Sequence, residues 1–80
     1  MKLILWTRAA RRQWRKLPPE ARIRIDKAVN GYAANASGDV KKMVGEDGAR
    51  LRIGDYRIIF TESRAAIEIR AVGHRKDIYR

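Results

Sequence analysis

Eighty residues and 9.2 kDa admit one small domain, residues 1–80. Nineteen Lys and Arg against nine Asp and Glu give a formal charge of +10, and the eighteen Leu, Ile, Val and Phe promise a thin core just above the level of a disordered chain. The absence of cysteine excludes disulfide staples and thiolate metal sites, and the longest apolar run, Leu3–Trp6, is far short of a membrane span of about 20 residues. The opening runs into Arg8, Arg11 and Arg12 with no apolar segment of a secretory signal, so a cytoplasmic protein is expected.

In chain order, residues 2–7 alternate and are rich in Leu, Ile and Trp, which reads as a first strand. Thr7 can cap a helix over 8–16, where Ala10, Trp14 and Leu17 make a narrow apolar stripe on a basic helix. Pro18 and Pro19 end it and start the next, with Pro19 at the first helical position and Glu20 at the positive end of the dipole. Ile25, Ala28, Val29, Tyr32 and Ala36 share a face of this second helix, which stops at Ser37-Gly38-Asp39. Residues 40–48 read as a mixed connection. From Ala49 the period is two: strands over 49–53, 56–61 and 66–72, joined by a two-residue turn at Gly54-Asp55 and a four-residue loop over 62–65. Gly73 then releases a polar tail. The expected fold is α+β: an N-terminal strand, a helical hairpin, then a three-stranded antiparallel meander, with one helical layer on a mainly antiparallel sheet.

That register assigns the faces. Ile53 opposes Tyr56, Arg52 opposes Arg57 and Leu51 opposes Ile58; across the next pair, Thr61 opposes Ala66, Ile58 opposes Ile69 and Arg57 opposes Arg70. Leu51, Ile53, Tyr56, Ile58, Phe60, Ile67, Ile69 and Ala71 then form the core, and Arg50, Arg52, Arg57 and Arg70 share the other face, relieved mainly by Glu68. Like charges facing each other across strands are unfavourable by some tenths of a kcal/mol. Stacked arginines make sense if an external anion neutralises them, and guanidinium forks suit phosphate oxygens. The tail adds His74, Arg75, Lys76 and Tyr79, where His and Tyr are the side chains suited to proton transfer. One histidine and scattered acids offer no metal-ligand set, and no P-loop, dinucleotide fingerprint or Ser-His-Asp motif is present.

Leu51-Arg52-Ile53-Gly54-Asp55-Tyr56-Arg57-Ile58-Ile59-Phe60, followed after a strand by Val72-Gly73-His74-Arg75-Lys76-Asp77-Ile78-Tyr79-Arg80, resembles the RelE branch of the RelE/ParE toxin superfamily. Trp14-Arg15-Lys16-Leu17-Pro18 resembles the same family. The resemblance implies a type II toxin that enters the ribosomal A site and cuts messenger RNA, using the RNA 2′-hydroxyl and neither metal nor other cofactor. It also implies a cognate antitoxin, acidic and neutralising, that covers the basic face. The matching positions are Arg57, Arg75 and Tyr79, with His74 at a position that is basic or histidine in relatives. Arg50 falls on a contributing basic position, and Arg52, Arg70 and Lys76 are the further candidates for RNA contact. Gly48 stands where some relatives carry a second basic residue. Rival expectations are a ParE-like poison of DNA gyrase, a non-catalytic nucleic-acid-binding module, and a degenerate toxin that only binds its antitoxin.

Overall fold

The structure, a computed structural model, describes residues 1–43 and 48–78. The last part of the expected connection, residues 44–47, and Tyr79 lie outside the described residues. Strand β1 (Leu3–Trp6) passes to helix α1 (Arg8–Arg15) at Thr7, whose hydroxyl oxygen accepts the Ala10 N–H at 3.1 Å, satisfying one donor that a helix start leaves unpaired. Helix α2 (Pro19–Asn35) begins on Pro19 and ends at Ala36, in the left-handed conformation at φ 57°, with its N–H donated to the Tyr32 carbonyl. As the cap, Ala36 leaves the helical path and is exposed. The buried stripe is Ala21, Ile25, Val29 and Ala33, with Ala28 and Tyr32 packed beside it.

Four further strands follow: β2 (Asp39–Lys42), β3 (Ala49–Ile53), β4 (Tyr56–Glu62) and β5 (Ala66–His74). They form one five-stranded sheet in the order β1-β5-β4-β3-β2, with β1 parallel to β5 and the other pairs antiparallel. The fold class is the one expected, but the meander has four strands because part of the supposed connection is β2. Its single apolar side chain, Val40, pairs with Leu51. Four residues with one apolar position give no readable alternation; the open edge of β3 supplies the missing half of the signal.

The β3–β4 register is as expected, with Ile53 opposite Tyr56, Arg52 opposite Arg57 and Leu51 opposite Ile58. The β4–β5 register is not. Ser63 donates its N–H to the Ala66 carbonyl at 2.8 Å, so the turn tightens around Arg64 and Ala65, and Thr61 faces Glu68 instead of Ala66. Phe60 faces Ile69 and Ile59 faces Ala71, so Arg70 is the extra residue of a bulge. Beyond it Ile58 meets Val72, and Arg57 meets Gly73 rather than Arg70. One inserted residue exchanges the faces, so Val72, 3% exposed, takes the core place expected of Ala71.

The bulge sits where β5 changes neighbours. β1 pairs with β5 only as far as Trp6–Ile69; beyond that α1 borders the strand. There the Gln13 side-chain oxygen accepts the Val72 N–H at 2.9 Å, and the Thr7 hydroxyl donates to the Arg70 carbonyl at 3.3 Å. Helical side chains thus replace the ladder bonds that β1 no longer provides. The core collects Ala10, Ile25, Val29, Leu51, Ile58, Phe60, Ile67, Ile69 and Val72 between helices and sheet.

Candidate nucleic-acid interface

Side chains alternate across a strand, so the face turned away from the core is set by register. On β2 it carries Asp39 and Lys41, on β3 Arg50 and Arg52, and on β4 Arg57. Two cross-strand rows result: Asp39–Arg52–Arg57–Gly73, and Lys41–Arg50–Ile59–Ala71. Asp39, Lys41, Arg50, Arg52 and Arg57 line a cleft of about 300 Å³. Four cations around one carboxylate form a site for a polyanion, with Asp39 offsetting part of the repulsion at the β2 edge.

Lys41 is a member that sequence reasoning missed, because it lies on the strand taken for a connection. It faces Arg50 directly. Gly48 explains why no basic side chain occupies its own position. Its φ is +124°, and a Cβ there would stand 2.9 Å from the Phe60 carbonyl oxygen. The backbone approach excludes a side chain, and the lysine of this face comes from β2.

Arg57 is held at the hairpin end of the cleft. Its Nη1 donates to the Gly54 carbonyl at 2.7 Å and to the Tyr56 carbonyl at 2.9 Å. The tail returns to the same turn: the Arg75 N–H donates to the Asp55 carbonyl at 2.8 Å, and Arg75 Nε stands 3.9 Å from the Asp55 carboxylate. Asp77 and Ile78 donate their N–H groups to the His74 carbonyl, forming a helical turn that brings Ile78 over Gly73. The tail through Ile78 is therefore docked on the sheet beside Arg57, and the last strand runs to His74 instead of stopping at Val72.

The remaining candidates divide. His74 pairs with Tyr56, and its ring meets the tyrosine ring edge-on at 5.7 Å, so it occupies the core-side face, across the sheet from Arg57. Its Nδ1 accepts the Lys76 N–H at 3.2 Å, which places Lys76 on the tail turn at this end of the sheet. Arg70, on the bulge, is bound to Glu68 at 2.9 Å and stands apart from the cleft. The structure thus brings Arg50, Arg52 and Arg57 together, gathers Arg75, Lys76 and His74 around the neighbouring turn, and removes Arg70.

A family described as the ParE toxin of type II toxin–antitoxin systems matches residues 4–79, nearly the whole chain. The chain belongs to this family. It is a type II toxin of the RelE/ParE superfamily. Its fold is similar to a chain of the RelB–RelE antitoxin–toxin complex from Methanococcus jannaschii, with a TM-score of 0.76, 27% identity and 94% of each chain covered. It also resembles the isolated E. coli RelE toxin, with a TM-score of 0.80 at 18% identity over 92% of this chain and 84% of that one. A chain of the intact E. coli RelBE toxin–antitoxin complex gives 0.76 at 19% identity, covering 92% and 96%. No curated protein matches in sequence. Toxins with this fold thus occur in complexes with RelB antitoxins, and no helix among the described residues of this toxin is long and apolar enough to cross a membrane.

Proposed function

We propose that this toxin is a ribosome-dependent endoribonuclease of the RelE type, cutting messenger RNA without a metal ion. The observation that carries the reading is the cleft of Lys41, Arg50, Arg52 and Arg57, continuous with the turn that holds Arg75. Many toxins of the superfamily are ribonucleases. In the reaction the 2′-oxygen attacks the adjacent phosphorus, the bond from phosphorus to the 5′-oxygen breaks, and a 2′,3′-cyclic phosphate remains. Negative charge grows on the nonbridging oxygens, and preorganised guanidinium groups stabilise it. Arg57 and Arg75 take that role, while Lys41, Arg50 and Arg52 hold the flanking phosphates. The proton taken from the 2′-hydroxyl, and the one given to the leaving 5′-oxygen, fall to Tyr79 in this reading, because the His74 ring packs on Tyr56 across the sheet from Arg57. A Tyr79→Phe variant separates the tyrosine's roles: near-normal cleavage assigns it to base stacking, and a collapse in rate assigns it to its hydroxyl.

An acidic antitoxin is the cognate partner in this reading, as the charge of +10 and the complexed relatives suggest. By binding only the folded toxin it also raises toxin stability through mass action.

The match to the ParE family favours one second reading, a poison of DNA gyrase that acts by protein binding. A translating extract decides. Messenger RNA cut within codons, and spared when antitoxin is added, establishes the nuclease. Intact RNA with gyrase-trapped DNA breaks establishes the poison.

A further inference from the structure

The hairpin tip at Gly54 and Asp55 receives cations from both faces of the sheet. From the outer face, Arg57 donates to the Gly54 and Tyr56 carbonyls. From the helical side, Arg24 of α2 reaches the same glycine: a Cβ at Gly54 would collide with Arg24 Nη2 and would lie 3.4 Å from its Cζ. Arg75 approaches from the tail, against Asp55. Arg24 is exposed, and among the described residues no carboxylate lies within ion-pair distance of Arg24 or Arg57. Asp55, itself exposed, is the acid of the turn and stands 3.9 Å from Arg75.

Two guanidinium groups converge on one residue, and among the described residues the acid of the turn, Asp55, approaches only Arg75, so an anion bound at the tip would relieve the positive charge gathered there. Gly54, at φ +59°, carries no side chain, which leaves open the space that the Arg24 guanidinium occupies. We propose that the tip is a phosphate-binding position of its own, with Arg24 as a phosphate ligand. A single RNA strand lying in the outer cleft then continues over the Gly54–Asp55 turn toward the helical side. The inference rests on the RNA-binding reading above and extends the binding surface to an element, α2, that bears none of the other candidates.

The test measures binding, not cleavage. A single-stranded 2′-O-methyl RNA keeps its phosphates and lacks the nucleophile, so fluorescence anisotropy over a series of salt concentrations reads phosphate neutralisation alone. On a single strand, each phosphate that the protein no longer neutralises flattens the slope of log affinity against log salt by about 0.7. Arg24→Ala is expected to flatten it by about that amount, whereas Arg64→Ala, which removes an equal charge at the opposite end of the sheet, leaves it nearly unchanged. Gly54→Asn provides the charge-neutral version: asparagine tolerates the left-handed backbone, its Cβ displaces the Arg24 guanidinium, and the slope is expected to fall as in Arg24→Ala. Equal slopes for Arg24→Ala and Arg64→Ala, or a wild-type slope in Gly54→Asn, overturn the tip site while RNA binding stands. No salt-dependent binding by the wild-type toxin overturns the RNA reading itself, and the tip site with it.

Discussion

Where β4 passes to β5, Lys2, Glu62 and Tyr32 form a closed set. The Glu62 carboxylate accepts from Lys2 Nζ at 2.5 Å and from the Tyr32 hydroxyl at 2.6 Å, and Lys2 donates also to the Ser63 carbonyl at 2.8 Å. At the other end of β4, Arg24, Arg57 and Arg75 gather around one turn whose carboxylate, Asp55, is 3.9 Å from the last of them. Charges of the first kind tie the residue that leads into β1 to α2 and β4. Those of the second kind leave a local excess that, among the described residues, only the long Asp55–Arg75 approach offsets, although the same chain supplies Glu62 where neutralisation serves structure. In a protein of net charge +10, the location of the unbalanced part is the functional information.

Arg57→Ala should break this contrast most strongly. Loss of one preorganised donor costs about 10²–10³ in rate, so cleavage in a translating extract should fall at least a hundredfold. Stability should stay within about 0.5 kcal/mol or rise slightly, since Arg52 directly opposes Arg57. A large drop in melting temperature would make Arg57 a structural residue.

Glu62→Ala should do the reverse. It removes the acceptor shared by Lys2 and Tyr32, and denaturant titration should show a loss of about 1 kcal/mol, tempered by the partial exposure of the pair. Cleavage should be unchanged at temperatures where the variant is folded.

The same set predicts the pH limits of the fold. Hydrogen bonds from Lys2 and then Tyr32 hold the Glu62 carboxyl below its usual 4.5, so its contribution is present above that pH and is lost as pH falls through the lowered value. Burial, followed by the Glu62 hydrogen bond, pushes Tyr32 up to about 12. The folded form then retains a proton that the unfolded chain loses near pH 10, so this contribution is intact below 10 and disappears toward 12. Melting temperatures measured across both ranges should show both slopes, and Tyr32→Phe should flatten the alkaline one.

The smallest effect belongs to Asp55→Asn. Its approach to Arg75 is long and exposed, and such pairs contribute little. The melting temperature should hardly move, while affinity for RNA should rise modestly as a negative charge leaves the tip.

Particular residues show how far the sequence could be read. Gly54-Asp55 between alternating segments revealed the β3–β4 hairpin with its register, and hence the alignment of Arg50, Arg52 and Arg57 on one face. The same reasoning failed one strand later. Ala71 and Val72 are both apolar, so alternation alone could not decide which faces inward, and the bulge at Arg70 lies where Gln13 and Thr7, about 60 positions away in the chain, bond to the strand. Lys41 was hidden for a related reason, since β2 is a strand only because β3 offers it an edge.

The sequence by itself determined the fold class, the helix limits at Thr7 and Pro19, the β3–β4 pairing and the presence of an arginine-rich outer face. Each depends on capping, turn chemistry or periodicity within a few residues. Tertiary structure alone decided which cations share a site: it brought Lys41 beside Arg50, sent Arg70 to Glu68, turned His74 onto Tyr56 and carried Arg24 from a helix to the hairpin tip. Those placements follow from register across strands and from docking of helix on sheet. A shift of one residue exchanges the two faces, and no local stretch of sequence contains that information.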